Sequence, residues 1–157
     1  MATKGNIKSQ KSEEASYVAF ENRSPRTVTL YWHDYTGKLV RYAIIKPGGL
    51  YKIDTFVTHP WSSSDSESGD RHLIHNQFVF YPPSQEQNDE VPRYENVYID
   101  LPVYPLWIRC LQTLRKTCTT TDVDSLQIPE NLKHALKFVP DIKFSTYSHF
   151  LTVNKQP

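Results

Sequence analysis

Three turn-forming clusters early in the chain decide most of what it can fold into. Asn22-Arg23-Ser24-Pro25-Arg26, Asp34-Tyr35-Thr36-Gly37 and Lys46-Pro47-Gly48-Gly49 are built from residues that set turn dihedrals. Proline fixes φ, glycine admits positive φ, and Asn, Asp and Ser bond the local backbone. Between them Thr27–Trp32 alternates, with Val28, Leu30 and Trp32 on one face and Thr27, Thr29 and Tyr31 on the other. Tyr17–Phe20, Leu39–Ile45, Leu50–Val57, Leu73–Tyr81 and Tyr94–Leu101 read as further strands, the last with Val97, Ile99 and Leu101 on a common face. About seven short strands punctuated by turns predict a mainly β fold, an antiparallel β-sandwich, with a small α appendage behind it. Ser62–Asp70 reads as loop by composition. Its serines followed by acids are candidate phosphate acceptors, with a solvated loop as the simpler reading.

The pattern changes at Leu101–Lys116. Pro105 is preorganised for the first turn of a helix, and at 100° per residue Leu106, Trp107, Cys110, Leu111 and Leu114 fall in one broad arc. Arg109, Gln112, Thr113, Arg115 and Lys116 fill the other side, with Ile108 the one apolar residue near it. The polar remainder of the chain is short, so this helix is expected to carry more apolar surface than its own chain covers, which points to a partner. Thr117–Thr121 should end the helix. Pro129–Val139 is a second candidate, with Ile128, Leu132, Ala135, Leu136 and Val139 at helical spacing, stopped by Pro140. The expected organisation is a disordered tail over 1–15, a β-sandwich over 16–102, a helical domain over 103–140 and an unassigned tail over 141–157.

Chemistry-bearing motifs are sparse. There is no Gly-rich phosphate loop, no G-x-S-x-G elbow and no H-E-x-x-H, so neither catalysis nor a cofactor is expected. His72 and His75 sit three apart, which on a strand places them on opposite faces, and no metal site is expected. A net charge of +1 with no basic run does not call for nucleic acid, and no stretch is long and apolar enough for a membrane span. The opening residues lack an apolar signal core, and the two cysteines, Cys110 and Cys118, fit no zinc pattern. Reduced thiols in the cytoplasm and nucleus are therefore expected, and the sequon at Asn22 is expected to go unused. Trp32, Tyr42 and Trp61, with Thr55 and His59 between the last two, make a set suited to a small ring bearing polar groups. The competing reading places both indoles in the core and His59 on a surface loop.

These residues resemble the von Hippel–Lindau tumour suppressor family. The resemblance rests on Asn22-Arg23-Ser24-Pro25-Arg26, Trp32, Gly37, Tyr42, Pro47-Gly48, Ile53 and His59-x-Trp61, without a gap. It continues in Leu101-Pro102-Val103-Tyr104, then Leu106 and Arg109-Cys110-Leu111-Gln112. Residues 17–116 are covered well and 117–140 loosely. Pro105-Leu106-x-x-x-Cys110-x-x-x-Leu114 also resembles an elongin C-binding box. The resemblance implies a non-catalytic substrate receptor for a cullin-type ubiquitin ligase. Its β domain would bind 4-hydroxyproline in hypoxia-inducible factor alpha subunits, and its helix would bind elongin C, linked with elongin B to a cullin. Carried over by position, Trp32 and Trp61 form wall and floor, Tyr42 bonds a substrate carbonyl, and Thr55 and His59 meet the prolyl hydroxyl. Pro105, Leu106, Arg109, Cys110 and Leu114 would contact elongin C. Thr55 stands where the family usually has serine, and Tyr51 and Asp54 replace basic residues. Ser125-Leu126-Gln127-Ile128-Pro129 with Leu132 and Leu136 looks like the cullin-contacting half of a suppressor-of-cytokine-signalling box, making Ile128, Pro129 and Leu132 the cullin-facing candidates. A β-sandwich peptide- or sugar-binding module, or a hydrolase with an unrecognised triad, are the rival readings.

Overall fold

Asn22 shows how the first turn is built. In the computed structural model, which describes residues 7–86, 91–119 and 121–137, its side chain is fully buried. Its Nδ2 donates to the carbonyls of Arg26 at 2.7 Å and Ile45 at 2.9 Å, and its Oδ1 accepts from Ser24 N and Oγ. Every polar atom of the amide is thus used, which makes this buried asparagine affordable and closes the sequon in the folded chain. Gly48, at φ 72°, donates its N–H to the Asn22 carbonyl at 2.8 Å, tying the third turn cluster to the first.

Seven strands result: β1 (Ala15–Asn22), β2 (Val28–His33), β3 (Leu39–Ile45), β4 (Leu50–Phe56), β5 (Trp61–Asp65), β6 (Arg71–Ile74) and β7 (Glu95–Asp100). They bond in the order β3-β2-β5-β6-β7-β1-β4. β6 changes layer part-way: Arg71 and His72 pair with Ser64 and Ser63 of β5, whereas Leu73 and Ile74 pair with Asp100 and Ile99 of β7. A strand that switches sheets folds one ladder into two facing layers. Val28, Leu30, Ile45 and Trp61 from one layer meet Val18, Phe20, Ile53, Val97 and Ile99 from the other. The sandwich is therefore mainly, not wholly, antiparallel: β1 pairs with β7 in parallel, Val18–Asn22 against Glu95–Ile99. The long connection between the two strands makes that direction possible.

Two sequence expectations need correction here. Ser62–Asp70 is not a loop throughout, because β5 runs to Asp65 with all five residues buried and the turn begins only at Ser66. Serine favours turns when its hydroxyl bonds nearby backbone. In β5 the partner lies on another strand, as Ser62 Oγ meets His33 Nε2 at 2.9 Å, and the small side chains fit between β2 and β6. Ser62–Ser64 are consequently closed to phosphorylation, leaving Ser66 and Ser68 for that reading. The strand expected over Leu73–Tyr81 shortens to β6, because His75 and Asn76 take φ of 49° and 65° and reverse the chain. Phe80 then returns to bridge Trp61.

A second unit begins at Val103. It holds α1 (Leu106–Thr117), a 3-10 turn at Val123–Ser125 and α2 (Glu130–Lys137). Leu111, Val123 and Leu136 form its core, with Trp107, Leu114, Leu126, Ile128, Leu132 and Ala135 packed around them. The arc expected on α1 is thus divided. Trp107, Leu111 and Leu114 turn to their own unit, while Leu106 is 80% exposed and Cys110 is exposed. Ile108 and Gln112, placed on the polar side by periodicity, are buried. Val139 and the unassigned tail lie outside the described residues. Among the described residues no helix is long and apolar enough to cross a membrane.

Candidate functional site

The aromatic residues singled out in the sequence come together in the sandwich, and a bulge is part of the reason. Leu30 pairs with Ala43 and Tyr31 with Arg41, so Tyr42 is the extra residue of β3. A bulge re-aims its side chain, and the Tyr42 ring reaches the Trp61 ring edge-on at 5.0 Å while staying 47% exposed. Trp61 is directly opposite Trp32 across the β2–β5 ladder, on the same face. The indole N–H of Trp61 donates to Thr55 Oγ1 at 3.2 Å, and Thr55 is buried on β4. Trp32 stacks at a tilt on His59, centroids 5.4 Å apart. Trp32, Tyr42, Thr55, His59 and Trp61 therefore form one contiguous cluster. Trp61 is buried in the core, as the competing reading has it, but His59 is buried rather than a surface loop residue.

Electrostatics keep the cluster neutral. Burial lowers the His59 pKa below the ordinary histidine value, partly offset by a hydrogen bond to the Gln10 carbonyl. The imidazole is neutral at physiological pH. Tyr51 is half-buried beside Tyr42, at 6.4 Å between centroids. Asp54 is exposed and accepts a hydrogen bond from Tyr94 OH at 2.5 Å.

Sequence reasoning missed three members. Residues 7–14 are not a free tail. Ser9 is buried, accepts from the Trp32 indole N–H at 2.7 Å and donates to the His33 carbonyl at 2.6 Å. Ser12 Oγ lies 3.1 Å from His59 Nε2 and 2.8 Å from Tyr35 OH, which is itself 3.3 Å from that nitrogen. The polar composition suggesting disorder is what binds this segment, hydroxyl by hydroxyl, and no local signal announces it. Tyr35, read only as part of a turn, had one available clue: an aromatic residue two positions before the turn glycine.

In the helical unit the expected adaptor-contacting residues are spread over one side of α1. Pro105, Leu106, Arg109 and Cys110 are exposed and Leu114 is half-buried in the unit's core. Of the cullin-facing candidates Pro129 is exposed, whereas Ile128 and Leu132 are half-buried in that core. Among the described residues no group of three or more His, Cys, Asp or Glu is placed to hold a metal.

The family model of the VHL beta domain matches residues 7–89. The chain belongs to the VHL family. The VHL match begins before Ser9, so the N-terminal segment that holds Trp32 and His59 lies inside it. A Drosophila melanogaster protein named Protein Vhl is 29% identical over 133 residues, covering 76% of this chain and 75% of the fly protein. VHL membership supports a role in substrate recognition for a ubiquitin ligase.

Proposed function

We propose that this chain is the substrate-recognition subunit of an elongin B/C–cullin ubiquitin ligase. In this reading it binds 4-hydroxyproline in hypoxia-inducible factor alpha subunits, in the cytoplasm and nucleus, and commits them to proteasomal degradation. One observation carries it: two buried polar groups, Thr55 and His59, stand against the rings of Trp61 and Trp32, with Tyr42 edge-on to Trp61. Thr55 Oγ1 accepts from Trp61, which leaves its own hydrogen to donate. The neutral His59 offers a ring nitrogen as acceptor. A prolyl hydroxyl donates one hydrogen bond and accepts another, so it satisfies both. Plain proline displaces their water and replaces nothing, at about 1–3 kcal/mol per group. Discrimination on the order of 10²- to 10⁴-fold follows. In this reading Tyr42, which is half-exposed, bonds a substrate carbonyl.

The helical unit supplies the adaptor contact in this reading. Leu106 and Cys110, one turn apart and exposed, present a large and a small side chain to a groove on elongin C. Pro105, Arg109 and Leu114 flank them, and Pro129, with the partly covered Ile128 and Leu132, faces the cullin. Catalysis here is proximity: holding substrate beside a charged ubiquitin-conjugating enzyme raises effective concentration, and bond formation occurs on other subunits.

The test is titration of matched proline and hydroxyproline peptides against the full chain co-purified with elongins B and C. Affinities within about threefold of each other, under 1 kcal/mol, would sink the reading. Mass spectrometry of proteins captured from cell extract identifies adaptor and cullin in the same preparation. A second reading, a non-degradative peptide- or sugar-binding module, is favoured by the packing of Trp107, Leu111 and Leu114 on their own unit. It predicts pocket binding with no elongin in the capture.

A further inference from the structure

The segment before β1 runs past Trp32 and His59 and is pinned on both sides. Ser9 N donates to the carbonyls of His33 at 3.2 Å and Asp34 at 3.0 Å, at the end of β2. Gln10 N donates to the Thr58 carbonyl at 3.4 Å, Thr58 Oγ1 returns a bond to the Lys11 carbonyl at 3.0 Å, and Val57 N donates to the Glu14 carbonyl at 3.0 Å. The strap so formed bridges the β2–β3 and β4–β5 turns. Its two serines, three residues apart, each hold one pocket side chain: Ser9 the Trp32 indole, Ser12 the His59 imidazole.

At His59 the arrangement fixes more than position. Ser12 Oγ and Tyr35 OH both approach Nε2, and they bond each other at 2.8 Å. These hydroxyls set the ring rotation and, among the described residues, leave Nδ1 without a side-chain partner. Phe56 and Trp32 pack on the ring, with centroids at 5.0 and 5.4 Å, and oppose its rotation.

We infer that Ser12 and Tyr35 are positioning residues which, with the strap, present His59 to the ligand hydroxyl as a single tautomer in a single orientation. The statement deepens the hydroxyproline reading and rests on it for the identity of the ligand. It does not rest on it for the state of the ring.

Two measurements on the full chain separate these. Long-range proton–nitrogen NMR of the His59 ring, assigned by loss of its signals in His59→Gln, reads the tautomer directly at pH 7.5. Wild type gives one neutral tautomer. The double variant Ser12→Ala, Tyr35→Phe gives averaged nitrogen shifts, and Ser12→Thr, which keeps the hydroxyl, restores the wild-type pattern. In peptide titrations the double variant loses about tenfold or more in affinity for the hydroxyproline peptide and stays within about threefold for the proline peptide. The melting temperature is unchanged in the same samples, which a merely structural loss would not allow. Ring shifts in the double variant identical to wild type overturn the inference whatever the peptides do. So does an affinity loss that Ser12→Thr fails to restore. If wild type binds both peptides equally while the ring shifts still respond, the clamp stands and the hydroxyproline reading falls.

Discussion

Replacing His33 with glutamine should remove a specific part of the protein's acid sensitivity. His33 is buried at the end of β2, its Nε2 against Ser62 of β5. Burial, with the positive charge of Arg71 adding to it, pushes its pKa down from the ordinary 6.5 to about 4. The sign follows from linkage. Above pH 7 both folded and unfolded chains are neutral at this position, so it contributes no pH dependence. Between about 6.5 and 4 the unfolded chain binds a proton that the folded chain refuses, so stability falls as pH falls. Below pH 4 both states are protonated and the loss levels off. The slope approaches about 1.4 kcal/mol per pH unit, giving roughly 2–3 kcal/mol between pH 7.5 and 4.5. That is a large share of a stability of about 5–15 kcal/mol. Asp34, Asp65, Asp122 and Asp124, whose pKa values are lowered, lose their contributions only below about 3.8, outside this window. His72 and His59 are also lowered by burial and add to the wild-type slope, so the quantity to read is the difference between wild type and His33→Gln. Urea unfolding of both proteins at pH 7.5, 6, 5 and 4.5 measures it. The variant should lose stability at neutral pH through disturbed packing, with the gap to wild type shrinking by roughly 2–3 kcal/mol at pH 4.5. A gap constant to within about 0.5 kcal/mol across the series would refute the buried neutral His33.

Leu106→Ala and Cys110→Arg alter exposed positions, so their melting temperatures should match wild type while elongin C capture falls, by about 2–5 kcal/mol for the leucine if the complex buries it as a core does. Leu111→Ala should do the reverse at its first step, unfolding the helical unit, because that side chain lies in its core. Saturating elongins B and C should raise the melting temperature of the full chain, since binding to the folded form stabilises by mass action; an unshifted melt would count against α1 as the docking helix. Trp61→Ala should cost about 3–5 kcal/mol of stability as well as binding, because Trp61 is 2% exposed and packs on Phe20. Tyr42→Ala, at a half-exposed position, should weaken peptide binding with little change in urea midpoint, and equal destabilisation by the two would contradict this placement.

What the sequence made legible was whatever a few neighbouring residues decide. The turns at Asn22, Asp34 and Pro47 could be placed because proline, glycine and side-chain amides act on their own backbone. β2 could be placed because Val28, Leu30 and Trp32 alternate. β5 was hidden for the opposite reason. Its burial is a property of β2 and β6 on either side, and serine carries no hydropathic signature of a strand that others enclose. The parallel pairing of β1 with β7 was equally out of reach, being set by where a long connection returns. The helix shows an intermediate case: periodicity found the apolar arc, but only the position of α2 reveals that Trp107, Leu111 and Leu114 are spent at home and that Leu106 and Cys110 remain outside.

The candidate site divides along the same line. Trp32, Tyr42 and Trp61 stood out because large aromatic residues on or beside strand-like stretches are conspicuous whatever surrounds them. Thr55 and His59 were noticed beside them, yet their chemical state depends on distant groups. Thr55 accepts from the Trp61 indole, which takes one lone pair of its oxygen and biases the hydroxyl toward donating to a ligand. His59 meets two hydroxyls at Nε2 only because Ser12, 47 residues away, and Tyr35 are brought to it by the fold. A receptor that distinguishes a ring by one added oxygen needs donor and acceptor each committed to a single role before the ligand arrives. A hydroxyl or imidazole free to reorient would find water or a neighbour when plain proline enters, and the difference between the two ligands would shrink. Discrimination is then expected to fall when the surrounding hydroxyls are removed, even with Thr55 and His59 intact. That separates a pre-set pocket from one that merely contains the right residues.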